Sequence, residues 1–228
     1  MEENKKEMNV NKEEIKKETV ETVNQVKETI KNVDIKNDAK EATGFASAIF
    51  KDPFGTMKQI VNDDSNRHFK TAIIFMIIWI VAILISSLFG TSLYKFSFNL
   101  AFKQILSIIK AVVAPLVGVI VLSGIIYFMN KENKKSMITN ITAVVTAKVP
   151  VIIASIVSLL TVISTQVGQI TRPFSSLCSV ISVVLTYFAA KSICGEEEDS
   201  KFFKKFVLIE AIFYIVYFAI SFLGIYIR

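Results

Sequence analysis

Five long apolar runs fill the chain after residue 70: Thr71–Leu88, Ile105–Met129, Ile141–Ser164, Phe174–Cys194 and Phe206–Ile227. At about 1.5 Å of rise per residue, a helix of about 20 residues crosses a hydrocarbon core of about 30 Å. Inside that core no water is available to the backbone, so a spanning segment must satisfy its own N–H and C=O groups as a helix. The sequence therefore predicts an all-α, polytopic membrane protein with five transmembrane helices over residues 67–228, embedded in a lipid bilayer. Ahead of them lie a charged tail, 1–44, and an amphipathic segment, 45–66.

Charge fixes an orientation. The first 44 residues carry 9 Lys and 11 acidic residues, whereas positions 45–228 carry 17 basic against 9 acidic residues. The basic excess thus belongs to the membrane part, which excludes nucleic acid as its cause. Beyond the tail, eleven Lys and Arg residues fall between residue 45 and the first run and in or at the edge of the second–third and fourth–fifth connections, against four in the alternate connections and at the C-terminus. The positive-inside rule then places the N-terminus in the cytoplasm and the C-terminus outside, as an odd number of spans requires. The polar N-terminus carries no secretory signal peptide, and the first run reads as an uncleaved anchor in the cell membrane.

Two patterns precede the membrane. Val23, Val26, Ile30 and Val33 recur at helical spacing, so residues 1–44 read either as a disordered, transiently helical tail or as a helix that docks on a partner or pairs with itself as a homo-oligomer. Asp52 is placed to cap a helix opening at Pro53, where a missing N–H is tolerated. Phe54, Met57 and Val61 then share one face, which predicts a short interfacial helix anchored in the bilayer surface.

Within the runs, Lys110, Lys148 and Glu210 require an account, because a central charge costs about 2.5–3.5 kcal/mol to insert. Lys110 snorkels outward. Lys148 and Glu210 lie at similar depth from the same side and form a candidate intramembrane ion pair. Snorkelling of each alone and a transport role are the other readings. Pro115 and Pro150 remove backbone bonds to Ala111 and Thr146 and are candidate helix kinks. They read either as ordinary kinks or as the broken helices of a transport site. Ala114 with Gly118, and Ala143 with Ala147, supply small residues for close helix contact. Catalytic, cofactor-binding and metal-binding signatures are absent from the sequence. The acidic run Glu196–Asp199 reads as a solvated loop balanced by Lys201, Lys204 and Lys205.

Three stretches carry a family resemblance: Asp52-Pro53-Phe54 with Met57 and Ile60, Lys134-Lys135-Ser136 through Lys148-Val149-Pro150, and the loop from Gly195 to Lys205. In these the chain resembles the Yip (Ypt-interacting protein) family, in its bacterial branch, over about residues 45–228. The resemblance implies five spans, a cytoplasmic N-terminus and a non-enzymatic protein that organises or recruits a partner at the cytoplasmic face. A scaffold or adaptor is the leading expectation. The alternative is a small transporter or channel component centred on Lys148, Glu210, Pro115 and Pro150.

Overall fold

The computed structural model describes the backbone of residues 2–63, 67–90, 98–130, 135–162, 167–195 and 198–226, and side chains within 16–34, 37–63, 67–88, 105–130, 135–161, 168–195 and 198–220. Residues 64–66 of the connector before the first run, the acidic residues Glu196 and Glu197, and the basic residues Lys95, Lys131, Lys134 and Arg228 lie outside the described residues. Every regular element described is helical. They are α1 (Glu2–Lys31), α2 (Ile35–Lys51), α3 (Pro53–Asn62), α4 (Arg67–Gly90), α5 (Phe98–Met129), α6 (Met137–Ala147), α7 (Val149–Ser158), α8 (Val167–Cys194) and α9 (Asp199–Tyr226), with a 3-10 turn at Leu159–Val162 after α7.

Three of these are long and apolar enough to cross a membrane: Arg67–Leu88, Ile105–Met129 and Gly168–Cys194. Met137–Ala147 and Val149–Thr161, inclined at 45°, make a fourth if the bent pair is one span. Among the described residues the count is therefore three, or four with the bent pair, and the five that the apolar runs suggest is shown only to that extent. The third run is interrupted, and the last belongs to α9, whose side chains are described only to residue 220. The helices also outrun the apolar stretches. α8 begins at Val167 and takes in Arg172 and Pro173, and α9 begins at Asp199. A hydropathy run marks the length in hydrocarbon, whereas the helix continues through the polar interface.

The centre of the bundle is made by α4, α6, α7 and α8, with α5 packed on α6 and α9 packed on α5. Small side chains permit the close approach of α6 and α7 to α8. Ala143, Ala147, Ala189 and Ala190 are fully buried, and Ala154 nearly so. Between helices in lipid the gain comes from such packing and from hydrogen bonds rather than from water exclusion. Trp79 on α4 donates its indole N–H to Ser155 Oγ on α7 at 3.2 Å. The Asn130 amide, buried at the end of α5, donates to the carbonyl of Ile193 on α8 at 2.8 Å. A Cβ placed on Gly118 of α5 would meet the rings of Tyr217 and Phe213 on α9 at 3.7 and 3.9 Å, an ordinary van der Waals contact, so the two helices pack closely here. Helix α8 closes at Gly195, whose φ of 84° lies in the left-handed region that glycine adopts without strain.

Local sequence explains α3. Asp52 accepts a hydrogen bond from the Gly55 N–H at 2.9 Å, Pro53 occupies the first turn, and a Cβ on Gly55 would fall on the Asp52 carboxylate. Gly55→Ala forces that carboxylate to swing away and lose the cap. We expect Gly55→Ala and Asp52→Ala each to destabilise the protein by about 1 kcal/mol, and together by no more than either alone. Denaturation in mixed micelles reads this. Additive losses would show that Gly55 is not acting through the cap.

Candidate functional site: a helical collar and a broken helix

Helices α1, α2 and α3 form a collar over one end of the bundle. α3 packs on α8 and α6, α2 on α4 and α3, and α1 on α4 and α6. The collar is where the structure departs furthest from the sequence-based expectation. Met57 and Val61 are 0% and 2% exposed, buried together with Ile60, while Phe54 is 42% exposed and meets the Phe188 ring edge-on at 5.9 Å. The apolar face of α3 is thus covered by α8 and α6 rather than laid on the bilayer. An amphipathic pattern specifies a buried face but not what buries it. Helix α2 also runs unbroken across residue 44, the boundary drawn between tail and amphipathic segment.

Helix α1 is held by one side chain above all. The Glu18 carboxylate accepts from the Tyr127 hydroxyl at 2.5 Å and from the backbone N–H of Met137 at 3.0 Å. Met137 opens α6, so a negative charge there satisfies an orphan donor and meets the positive end of the helix dipole. Behind this contact Val26 and Val33 pack against Phe69, Ile73 and Ile138, while Val23 and Ile30 remain 45% and 54% exposed. The expected stripe of Val23, Val26, Ile30 and Val33 is therefore split. Glu18 and Val26 set the rotation of the helix.

Charge pairs fasten α2 to the start of α4. Lys70 Nζ lies 2.9 Å from Asp38 Oδ2, an oxygen that also accepts from the Asp34 N–H at 2.7 Å. Arg67 reaches Glu41 at 4.0 Å, and both are well exposed, so that pair contributes little. His68 stacks on Phe45 with centroids 5.0 Å apart and approaches Asp63 at 3.2 Å. Between α1, α2 and α4 these groups leave a polar cleft of about 570 Å³, lined among others by Gln25, Glu28, Asn32, Glu41, Arg67 and Lys70.

The second locus is the junction of α6 and α7. Lys148 sits at the break, ending one helix and preceding the next, and Pro150 occupies the first turn of α7. The Lys148 N–H bonds to the carbonyls of Val144 and Val145, and the chain resumes with Ile152 N–H to the Lys148 carbonyl at 3.0 Å. Lys148 and Glu210, the latter on α9, are both half-buried. Neither belongs to an ion pair within 4.0 Å among the described residues. Pro115 lies inside α5, which stays one helix from Phe98 to Met129. In the acidic loop Glu198 pairs with Lys201 at 3.3 Å, as expected, while Asp199 pairs with Lys191 on α8.

A chain of apolar helices long enough to cross a membrane more than once, with a polar collar at one end, is a multi-pass membrane protein. The model of the Yip1 domain matches residues 47–225, and the chain belongs to the Yip1 family. The match begins within α2 and ends in the last turn of α9, leaving α1 outside it. No curated protein and no solved structure matches the chain.

Sequence reasoning missed Glu18, Tyr127 and Asn130. Tyr127 and Asn130 stand where the second run gives way to polar residues, a position that suits side chains with one wet end. Glu18 is one of 11 acidic residues in the first 44 and carries no distinguishing signal. Hydrogen bonds to a charged acceptor are worth about 1.5–3 kcal/mol each. Glu18→Ala is thus expected to speed amide exchange across Val20–Lys31 at least about tenfold, with α8 unchanged. Unaltered protection of α1 would show that it is held by something else.

Proposed function

We propose that this Yip1-family chain is a non-enzymatic scaffold or adaptor of the cell membrane. It crosses five times, with α9 as the last span, the collar in the cytoplasm and the C-terminus outside. The charge asymmetry of the connecting segments supports that orientation, and the length of α9 supports the fifth crossing. The observation that carries the reading is the polar cleft between α1, α2 and α4. Its rim offers carboxylates, amides and two basic side chains within one recess, a surface suited to a polar protein segment. Photo-crosslinkers at Arg67 and Lys70, on the α4 wall of the cleft, are expected to capture a protein partner in native membranes, with capture lost on deletion of residues 1–44. Contacts that all survive that deletion would remove the basis of the adaptor reading. Cysteines introduced in the collar should be blocked only by membrane-permeant reagents. Labelling of intact cells by an impermeant reagent would reverse the orientation.

A second reading, a small transporter or channel component, rests on the 45° break at Lys148 and on Glu210, a half-buried acid on α9. In it the two charges pair and hold α7 to α9 across the bilayer interior, with Pro115 and Pro150 as hinges. Lys148→Glu with Glu210→Lys should then recover the stability that either change alone loses. Neutralising Lys148 should abolish flux in proteoliposomes. Failure of the exchange to restore stability would dismiss the pair, and undiminished flux would dismiss the transport role.

A further inference from the structure

On the other side of α1 lies a second cleft, of about 650 Å³, between α1, α5 and α6. Its walls are Val23 and Val26 of α1, Ile120 and Phe128 of α5, and Met137 and Ile141 of α6. That volume is within the range of about 300–1,000 Å³ typical of ligand pockets. Two charged groups reach it. Glu18 is engaged by Tyr127 and Met137, whereas the exposed Lys27 belongs to no ion pair within 4.0 Å among the described residues.

The wall on α5 identifies the occupant. Ile120 and Phe128 are 57% and 56% exposed on a helix whose apolar window is only 11% buried, against 39% and 44% for the other two single-helix spans. Exposure on such a helix is exposure to lipid. At 3.6 residues per turn, Ile109, Val113 and Ile120 lie on one side of α5, so this lipid-facing surface continues into the cleft. The eight residues from Ile120 to Phe128 extend the cleft about 12 Å along the span.

We propose that this cleft holds an acyl chain of a glycerophospholipid from the surrounding leaflet, with an anionic headgroup against Lys27. Lipid tails are as apolar as leucine, so exchanging bilayer neighbours for these side chains gives little selectivity. Discrimination falls to the headgroup, where one lysine near the surface is worth about fivefold in affinity. Partner docking in the polar cleft uses the opposite side of α1, so the two proposals fail separately.

The test uses the full chain in detergent micelles doped with equal phosphatidylglycerol and phosphatidylcholine, with bound lipids counted by native mass spectrometry. One phosphatidylglycerol should be retained under activation that strips the others, preferred about fivefold over phosphatidylcholine. Lys27→Gln should abolish the preference. Val23→Trp, which fills the cleft, should lower retention of both lipids, whereas Ile109→Trp, elsewhere on the same exposed side, should not. Equal retention of the two lipids by the wild type overturns the proposal. So does full retention by Val23→Trp, or a polypeptide in place of lipid crosslinked from Val23. Lys27→Gln leaves the walls of the cleft intact, so it decides the headgroup claim even where Val23→Trp undocks α1.

Discussion

The collar depends on the burial of one short helix. α3 has ten residues, too few to hold a helical conformation alone in water, and its nucleus must be stabilised by packing. Met57, Ile60 and Val61 provide that packing against α8 and α6, and Asp52 supplies the first-turn acceptor. With α3 fixed, α2 is held at both ends: by the Asp52 turn, and by the contact of Asp38 with Lys70 on α4. Phe45, also on α2, stacks between His68 and Phe75 and aligns α2 with α4. The polar cleft is the space left where α1 meets α4 and α2, and α2 is the wall that α3 helps to hold.

What could be read from the sequence follows from what each pattern encodes. Apolar runs encode length in hydrocarbon, so Thr71–Leu88 falls within α4 and Ile105–Met129 within α5. They do not encode the polar turns that extend a helix into the interface, nor the point at which one helix becomes two. The Asp52-Pro53 signal located the start of α3, since capping is local chemistry. The destination of its apolar face was not legible, because Met57 and Val61 would present the same spacing to a lipid surface as to α8. Glu18 lies at the far limit. Its role depends on Tyr127 and Met137, more than a hundred residues away, and nothing in its neighbourhood sets it apart from the other tail carboxylates.

The break at Lys148 shows the same division. Pro150 announces a missing N–H, but the sequence does not say whether the helix bends or only loses one bond. Pro115 poses the same question inside α5, and there the helix runs on. The difference lies in the surroundings. At the break the Lys148 N–H takes two carbonyls of the preceding turn, and α7 restarts with Ile152 bonding back to Lys148. These bonds keep the backbone paired on either side of Pro150 through the 45° change of direction.

Helix α1 is built to be held weakly. Thirty residues long, it shows Val20, Val23 and Ile30 to its surroundings and, among its described side chains, commits Glu18 and Val26 to the bundle, with Val33 packing just beyond its end. The described part of α1 buries little apolar area, so its docked and released states differ by less than the stability of the bundle beneath. Its anchor is also electrostatic, and a carboxylate at a helix N-terminus loses strength as salt rises or as it is protonated. A ligand that contacts α1 only when docked, in either cleft, therefore shifts this small difference by its own binding free energy. Two ligands on opposite faces of α1 would help each other without touching, through the single equilibrium that Glu18 biases.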